Sequence, residues 1–149
     1  MKKMFNILVL PLLFSLFFMA SALAQDTSIV GKWKTIDDET NEPKSIVEIF
    51  EKDGKYFGKI VQLLKEREDG RESRCYDCPE GDPRKDQPTL GMEILKDLEK
   101  TGDEYGSGTI LDPQKGKIYT CKLWVEDGNL MVRGYIAFFF RTQTWYRVE

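Results

Sequence analysis

From Ile29 onward, short apolar-rich runs alternate with turn signals, and no stretch carries the three-to-four-residue spacing of a long amphipathic helix. The clearest signal lies in the last third of the chain. Gly116-Lys117-Ile118-Tyr119-Thr120-Cys121-Lys122-Leu123-Trp124-Val125-Glu126 and Leu130-Met131-Val132-Arg133-Gly134-Tyr135-Ile136 flank Asp127-Gly128-Asn129. Two β-rich runs around Asp-Gly predict a hairpin. On the first strand Tyr119, Cys121, Leu123 and Val125 share a face, and on the second so do Leu130, Val132, Gly134 and Ile136. A lone hairpin is marginal in water, so upstream strands must complete the sheet that covers those faces.

Upstream, Ile29–Thr35 is a first strand and Asp37–Pro43 a polar connection. Ser45–Glu51 and Tyr56–Leu64 form a second hairpin about Asp53-Gly54, with a pattern too mixed to fix the buried face. Leu90–Leu98 reads as a strand or a short helix, and Tyr105–Leu111 as a strand followed by the turn Asp112–Gly116. The apolar run Ile136-Ala137-Phe138-Phe139-Phe140 precedes a last strand, Thr142–Val148. About eight short strands at regular spacing predict an all-β antiparallel barrel or sandwich. Lys65–Pro88 breaks the rhythm: it is charged, rich in Gly and Pro, and longer than ordinary loops, as functional or stapled segments are.

The first residues belong to a different category. Lys2 and Lys3, the apolar run Ile7–Met19 and the Ala22-Leu23-Ala24 pattern read as a signal peptide over residues 1–24, cleaved before Gln25. The apolar run is shorter than the roughly 20 residues of a spanning helix, so no stable membrane span is expected after cleavage. A single domain over 25–149 in the periplasm or outside the cell is the expectation. All 25 acidic residues lie beyond the leader, whereas two of the 22 basic ones fall within it, so the remainder is more acidic than the whole chain's net charge of −3. This balance argues against nucleic acid as a partner.

The chain has no histidine. Ser-His and Cys-His pairs are therefore absent, as is any imidazole base, and no carboxylates or glycines fall into a catalytic or phosphate-binding motif. Cys75-Tyr76-Asp77-Cys78 admits three readings: a structural disulfide, which suits an oxidising compartment; a zinc site, left incomplete with three thiols and no histidine; and a redox centre, which lacks its βαβ setting. Chain entropy favours a Cys78–Cys121 bridge, roughly 4 against 2 kcal/mol for the tiny loop. The alternation that points Cys121 into the core favours Cys75–Cys78 with Cys121 buried and free, and that is the expectation. No metal or cofactor is expected. Tyr119, Arg133, Arg141, Trp145 and Arg147 gather in the last strands, either as a pocket for a partly anionic or aromatic ligand or as a plug in which arginine stacks on Trp33 or Trp145.

These residues also carry a resemblance. Gly31-x-Trp33, Asp53-Gly54 with Tyr56-x-Gly58-x-Ile60-Val61, Gly91-Met92-x-Ile94, and Gly108-x-Ile110-x-Asp112-Pro113-x-x-Gly116-Lys117-x-Tyr119 occur together with Leu130-x-Val132-Arg133-Gly134-Tyr135 and Arg141-Thr142-Gln143-Thr144-Trp145-x-Arg147. The chain resembles the exported bacterial domain-of-unknown-function family 2147 over nearly all of the expected mature protein. The resemblance implies a calycin-like, lipocalin-like up-and-down barrel of about eight strands with no established biochemical role. It further implies that Trp33 packs beneath Arg147 of the last strand. Where the family usually has glycine before Arg-Thr-Gln-Thr-Trp, Phe140 stands here, so Phe138–Phe140 either fill one end of the barrel or form an apolar lip for a ligand, a partner or a membrane surface.

The resulting expectation is a non-enzymatic barrel that binds one small, largely apolar molecule, with Tyr56, Tyr119, Arg133, Gly134, Arg141 and Trp145 as candidate contacts. The rival is an interaction or structural module of the cell envelope, with a filled interior and a protein partner. A cavity above roughly 300 Å³ separates the two.

Overall fold

A computed structural model describes residues 27–149; the expected signal peptide lies outside them. Eight antiparallel strands run β1 Gly31–Ile36, β2 Pro43–Lys52, β3 Lys55–Leu63, β4 Glu93–Thr101, β5 Glu104–Asp112, β6 Lys117–Glu126, β7 Asn129–Ile136 and β8 Phe139–Val148. Each pairs with its sequence neighbour, and β1 pairs with β8 through Lys32↔Val148, Trp33↔Arg147 and Lys34↔Tyr146, closing the barrel. The fold is the lipocalin-like up-and-down barrel that the resemblance implied, and it resolves the choice between barrel and sandwich that strand spacing left open. Among the described residues no helix is long and apolar enough to cross a membrane.

The ends of the barrel differ because the turns differ. At one end, Asp53 and Gly54 take φ of 53° and 76°, and Asp127 and Gly128 take 51° and 77°. Two left-handed residues in succession match the twist of the flanking strands and permit two-residue connections. That end is shut by Trp33, Ile49, Leu98, Tyr105, Leu123 and Leu130, all at most 1% exposed. The opposite end carries the β1–β2 loop, the long β3–β4 connection, the β5–β6 turn and the β7–β8 turn.

The long connection is stapled and docked. Cys75 and Cys78 form the disulfide, and Cys121 is buried and free. Both bridged cysteines belong to the core cluster, beside Met92 and Ile94. Backbone bonds from Cys75 N–H to Gln87 O and from Asp86 N–H to Cys75 O, 3.0 Å each, fold the segment back on itself. At the β5–β6 turn, Gly116 has φ +61°, and a Cβ there would lie 1.7 Å from the Asp77 carbonyl oxygen. Only glycine admits the Cys-Tyr-Asp-Cys turn against the barrel at that point.

Two element boundaries differ from the sequence expectation. The segment expected at Leu90–Leu98 is a strand over Glu93–Thr101, because Gly91 N–H and Met92 O are engaged with Ile60 before regular pairing starts. The last strand begins at Phe139 rather than Thr142, since Ala137 takes φ 49° and turns the chain at once. Phe138, Phe139 and Phe140 are 98%, 75% and 61% exposed. They do not fill the barrel end, because the tight turn carries them beyond its rim.

Candidate ligand cavity

At the end with the longer loops the barrel interior opens into a cavity of about 300 Å³. Its position follows from strand register. Leu130↔Trp145, Val132↔Gln143, Gly134↔Arg141 and Ile136↔Phe139 are successive inward pairs across β7 and β8. Trp145 and Val132 are buried at the floor, with Ile60, Ile94, Ile110 and Leu111 beside them. Tyr119 and Gly134 stand on one wall. A Cβ on Gly134 would meet Tyr119 Cβ at 3.5 Å and Ile110 Cγ2 at 4.0 Å, which is ordinary contact. The missing side chain therefore widens the wall without any backbone requirement for glycine.

The polar groups in the cavity are largely engaged with one another. Thr35 Oγ1 and Ser45 Oγ lie 2.8 Å apart. Trp145 Nε1 donates to Gln143 Oε1 at 3.1 Å, and Gln143 Nε2 donates to Asp38 Oδ2. The guanidinium of Arg141 lies 3.3 Å from the same carboxylate oxygen. A guest entering the lower cavity meets few unsatisfied dipoles, which suits an apolar surface better than a polar one.

The β1–β2 loop covers part of the mouth. Asp37 Oδ1 accepts the backbone N–H groups of Glu39 and Thr40 at 2.9 and 3.1 Å, shaping the turn. Burial acts to raise the Asp37 pKa, but those two N–H bonds, with Lys65 and Lys44 nearby, hold it below the usual carboxylate value. Asp38 ties the loop to β8, and Lys65 holds it from the β3–β4 side, 3.4 Å from Glu42. Glu39 meets Lys115 of the β5–β6 turn at 3.3 Å, an ion pair that raises the Lys115 pKa. In an eight-stranded barrel the β1–β2 and β5–β6 connections face each other, so this contact spans the opening.

Four of the residues singled out in the sequence, Tyr119, Gly134, Arg141 and Trp145, meet at this cavity. Tyr56 does not: it packs edge-on to Tyr105 at 4.8 Å near the closed end, where burial raises its pKa. Arg133 lies on the outer surface. It pairs with Lys122 in the register, stacks 5.0 Å over Trp124 and 4.6 Å over Phe140, and donates to Thr142 Oγ1. Period-two alternation with Arg141 and Trp145 marks Gln143 as a further lining residue, and nothing in the sequence marked Asp38 or Glu39. Among the described residues no group of three or more acidic, cysteine or histidine side chains is placed to hold a metal ion. Burial pushes the Cys121 thiol up to about 12, which leaves it un-ionised at neutral pH.

A family described as uncharacterized protein conserved in bacteria (DUF2147) matches residues 31–147. No curated protein matches the chain. Among solved structures, protein HP1028 from Helicobacter pylori, reported to belong to the lipocalin family, is 23% identical with a TM-score of 0.68. The match covers 82% of this chain and 84% of that one. At that identity the likeness is one of fold.

Proposed function

The chain belongs to the DUF2147 family, and from that premise we propose that it is an exported, non-enzymatic carrier of one small, largely apolar molecule. The observation that supports this reading is the cavity of about 300 Å³, open at one end and floored by Ile60, Ile94, Ile110, Val132 and Trp145. Its size stands at the lower end of the roughly 300–1,000 Å³ range of small-molecule sites. Eight-stranded barrels of lipocalin size have room for a single such guest. The ion pairs Arg141–Asp38 and Lys115–Glu39 make the mouth polar, while the floor takes an apolar body. The absence of histidine from the sequence and the un-ionised, buried Cys121 favour carriage over catalysis. The signal-peptide pattern over residues 1–24 supports export.

Native mass spectrometry of protein isolated from its own cell envelope tests the proposal. A carrier retains a stoichiometric small molecule that organic solvent removes, and the emptied barrel then takes up an apolar fluorescent dye in a one-to-one ratio. Protein that carries nothing and takes up no dye would leave the barrel an interaction module.

A further inference from the structure

The β7–β8 hairpin projects from the open end and finishes in an aromatic tip. Phe138 at its summit is 98% exposed, Phe139 75%, and Ile136 on the facing strand 53%. Scattered apolar side chains are normal on a surface, but a contiguous group at one protruding turn marks a place of contact. The tip protrudes, with Ala137 at φ 49° making the reversal tight.

Charge narrows the choice of medium. The chain as a whole is acidic, with a net charge of −3, yet from Leu130 to Thr142 the hairpin has two arginines and no carboxylate. Both flank the tip: Arg133 is stacked 4.6 Å over the Phe140 ring, and Arg141 is paired with Asp38 of the β1–β2 loop. Aromatic rings beside guanidinium groups suit the headgroup region of an anionic bilayer, where rings bury and cations meet phosphate. The same tip adjoins the cavity, for Ile136, Phe139 and Phe140 all border its mouth.

We propose that the Phe138–Phe140 tip inserts into the headgroup layer of an anionic lipid bilayer and sets the cavity mouth against the membrane. An apolar guest then passes between bilayer and barrel without crossing bulk water. The transfer rests on the carrier reading; the docking does not.

Flotation with lipid vesicles tests the docking, using the chain from Gln25, since all eight strands and their closure lie beyond that residue. The wild type is expected to float with vesicles of phosphatidylglycerol and phosphatidylethanolamine, and far less with phosphatidylcholine alone. Phe138→Asp with Phe139→Asp should lower the bound fraction by about tenfold or more. Phe138→Trp should show blue-shifted emission quenched by brominated lipid. Because these side chains are exposed, the fold should survive, and an unchanged circular-dichroism spectrum checks it. No flotation, or equal flotation of wild type and double variant, overturns the proposal. So does a vesicle-free dimer that the double variant splits, which would assign the tip to a second copy of the chain. Dye uptake by the cavity should be unaltered in Phe138→Asp alone, a position that does not line the cavity, so a failed carrier test and a failed docking test remain distinct.

Discussion

The guanidinium of Arg147 lies 4.3 Å from the centre of the Trp33 ring and joins the last strand to the first at the closed end of the barrel. Trp33 is fully buried, its indole N–H donates to Ile29 O at 2.7 Å, and Arg147 donates to Ser28 O at 3.0 Å. The segment before β1 is thus held under the barrel by both residues. Trp33→Ala should cost about 3–5 kcal/mol, the usual cost of emptying a large core site. Arg147→Met should cost only about 0.5–2 kcal/mol, because it removes a cation–π contact and an exposed hydrogen bond to Ser28 O but leaves the ring packed. Urea midpoints decide this; equal costs for the two would mean that Arg147 is not a cover but a core element.

Cys121 should resist alkylation in the native state at pH 8, with Cys75 and Cys78 blocked by their bridge, and react on unfolding. Its buried thiol keeps its proton to about pH 12, whereas an unfolded cysteine loses it near pH 8.5. Between those values the unfolded chain binds fewer protons than the folded one, so stability falls as pH rises, by up to about 1.4 kcal/mol per pH unit. Cys121→Ala should flatten that part of the stability curve. A slope identical in the variant would place its origin elsewhere.

Gly134→Leu should fill the cavity from its wall and abolish one-to-one dye uptake while leaving the β-sheet spectrum intact. The Cβ is tolerated at ordinary contact distances, so loss of binding would report lost space, not lost fold. Uptake that persists in this variant but vanishes in Phe138→Asp would move the dye from the interior to the hairpin tip.

The Glu39–Lys115 pair across the mouth is solvent-exposed on both sides, and exposed pairs contribute about 0.2–1 kcal/mol. Glu39→Gln should therefore speed guest release by no more than about fivefold, with little change in thermal stability. Added salt should speed the wild type toward the variant's rate. Stopped-flow dye release measures both; a hundredfold effect would mean that the loop is held by this contact almost alone.

The barrel was legible in the sequence because its strands advertise themselves locally. Asp53-Gly54 and Asp127-Gly128 set two hairpins, and strict alternation from Tyr119 to Ile136 assigned the inner face. The same alternation put Tyr119 and Gly134 on that face, and both line the cavity; Arg141 and Trp145, which join them there, stood out by side-chain chemistry. Side-chain chemistry also pointed to Tyr56 and Arg133, which stand at the closed end and on the outer surface. Lining residues in the β1–β2 loop gave no signal, since Asp38 and Glu39 look like any solvated charges until their partners on β8 and the β5–β6 turn are known. Gly116 read as an ordinary turn glycine; its need for a bare Cα comes from Asp77, 39 positions earlier.

Neighbour-to-neighbour strand order leaves folding with one event unlike all the others. Hairpin pairings need only local loops, most of them a few residues long, and can form early. Joining β1 to β8 must bring Trp33 to Arg147 across almost the whole chain, with the entropy of a long loop set against a short ladder of three paired positions. Closure is therefore the late step. Because closure completes the burial of Trp33, its fluorescence in a chain with Trp124 and Trp145 replaced by Phe times the instant at which an open sheet becomes a barrel.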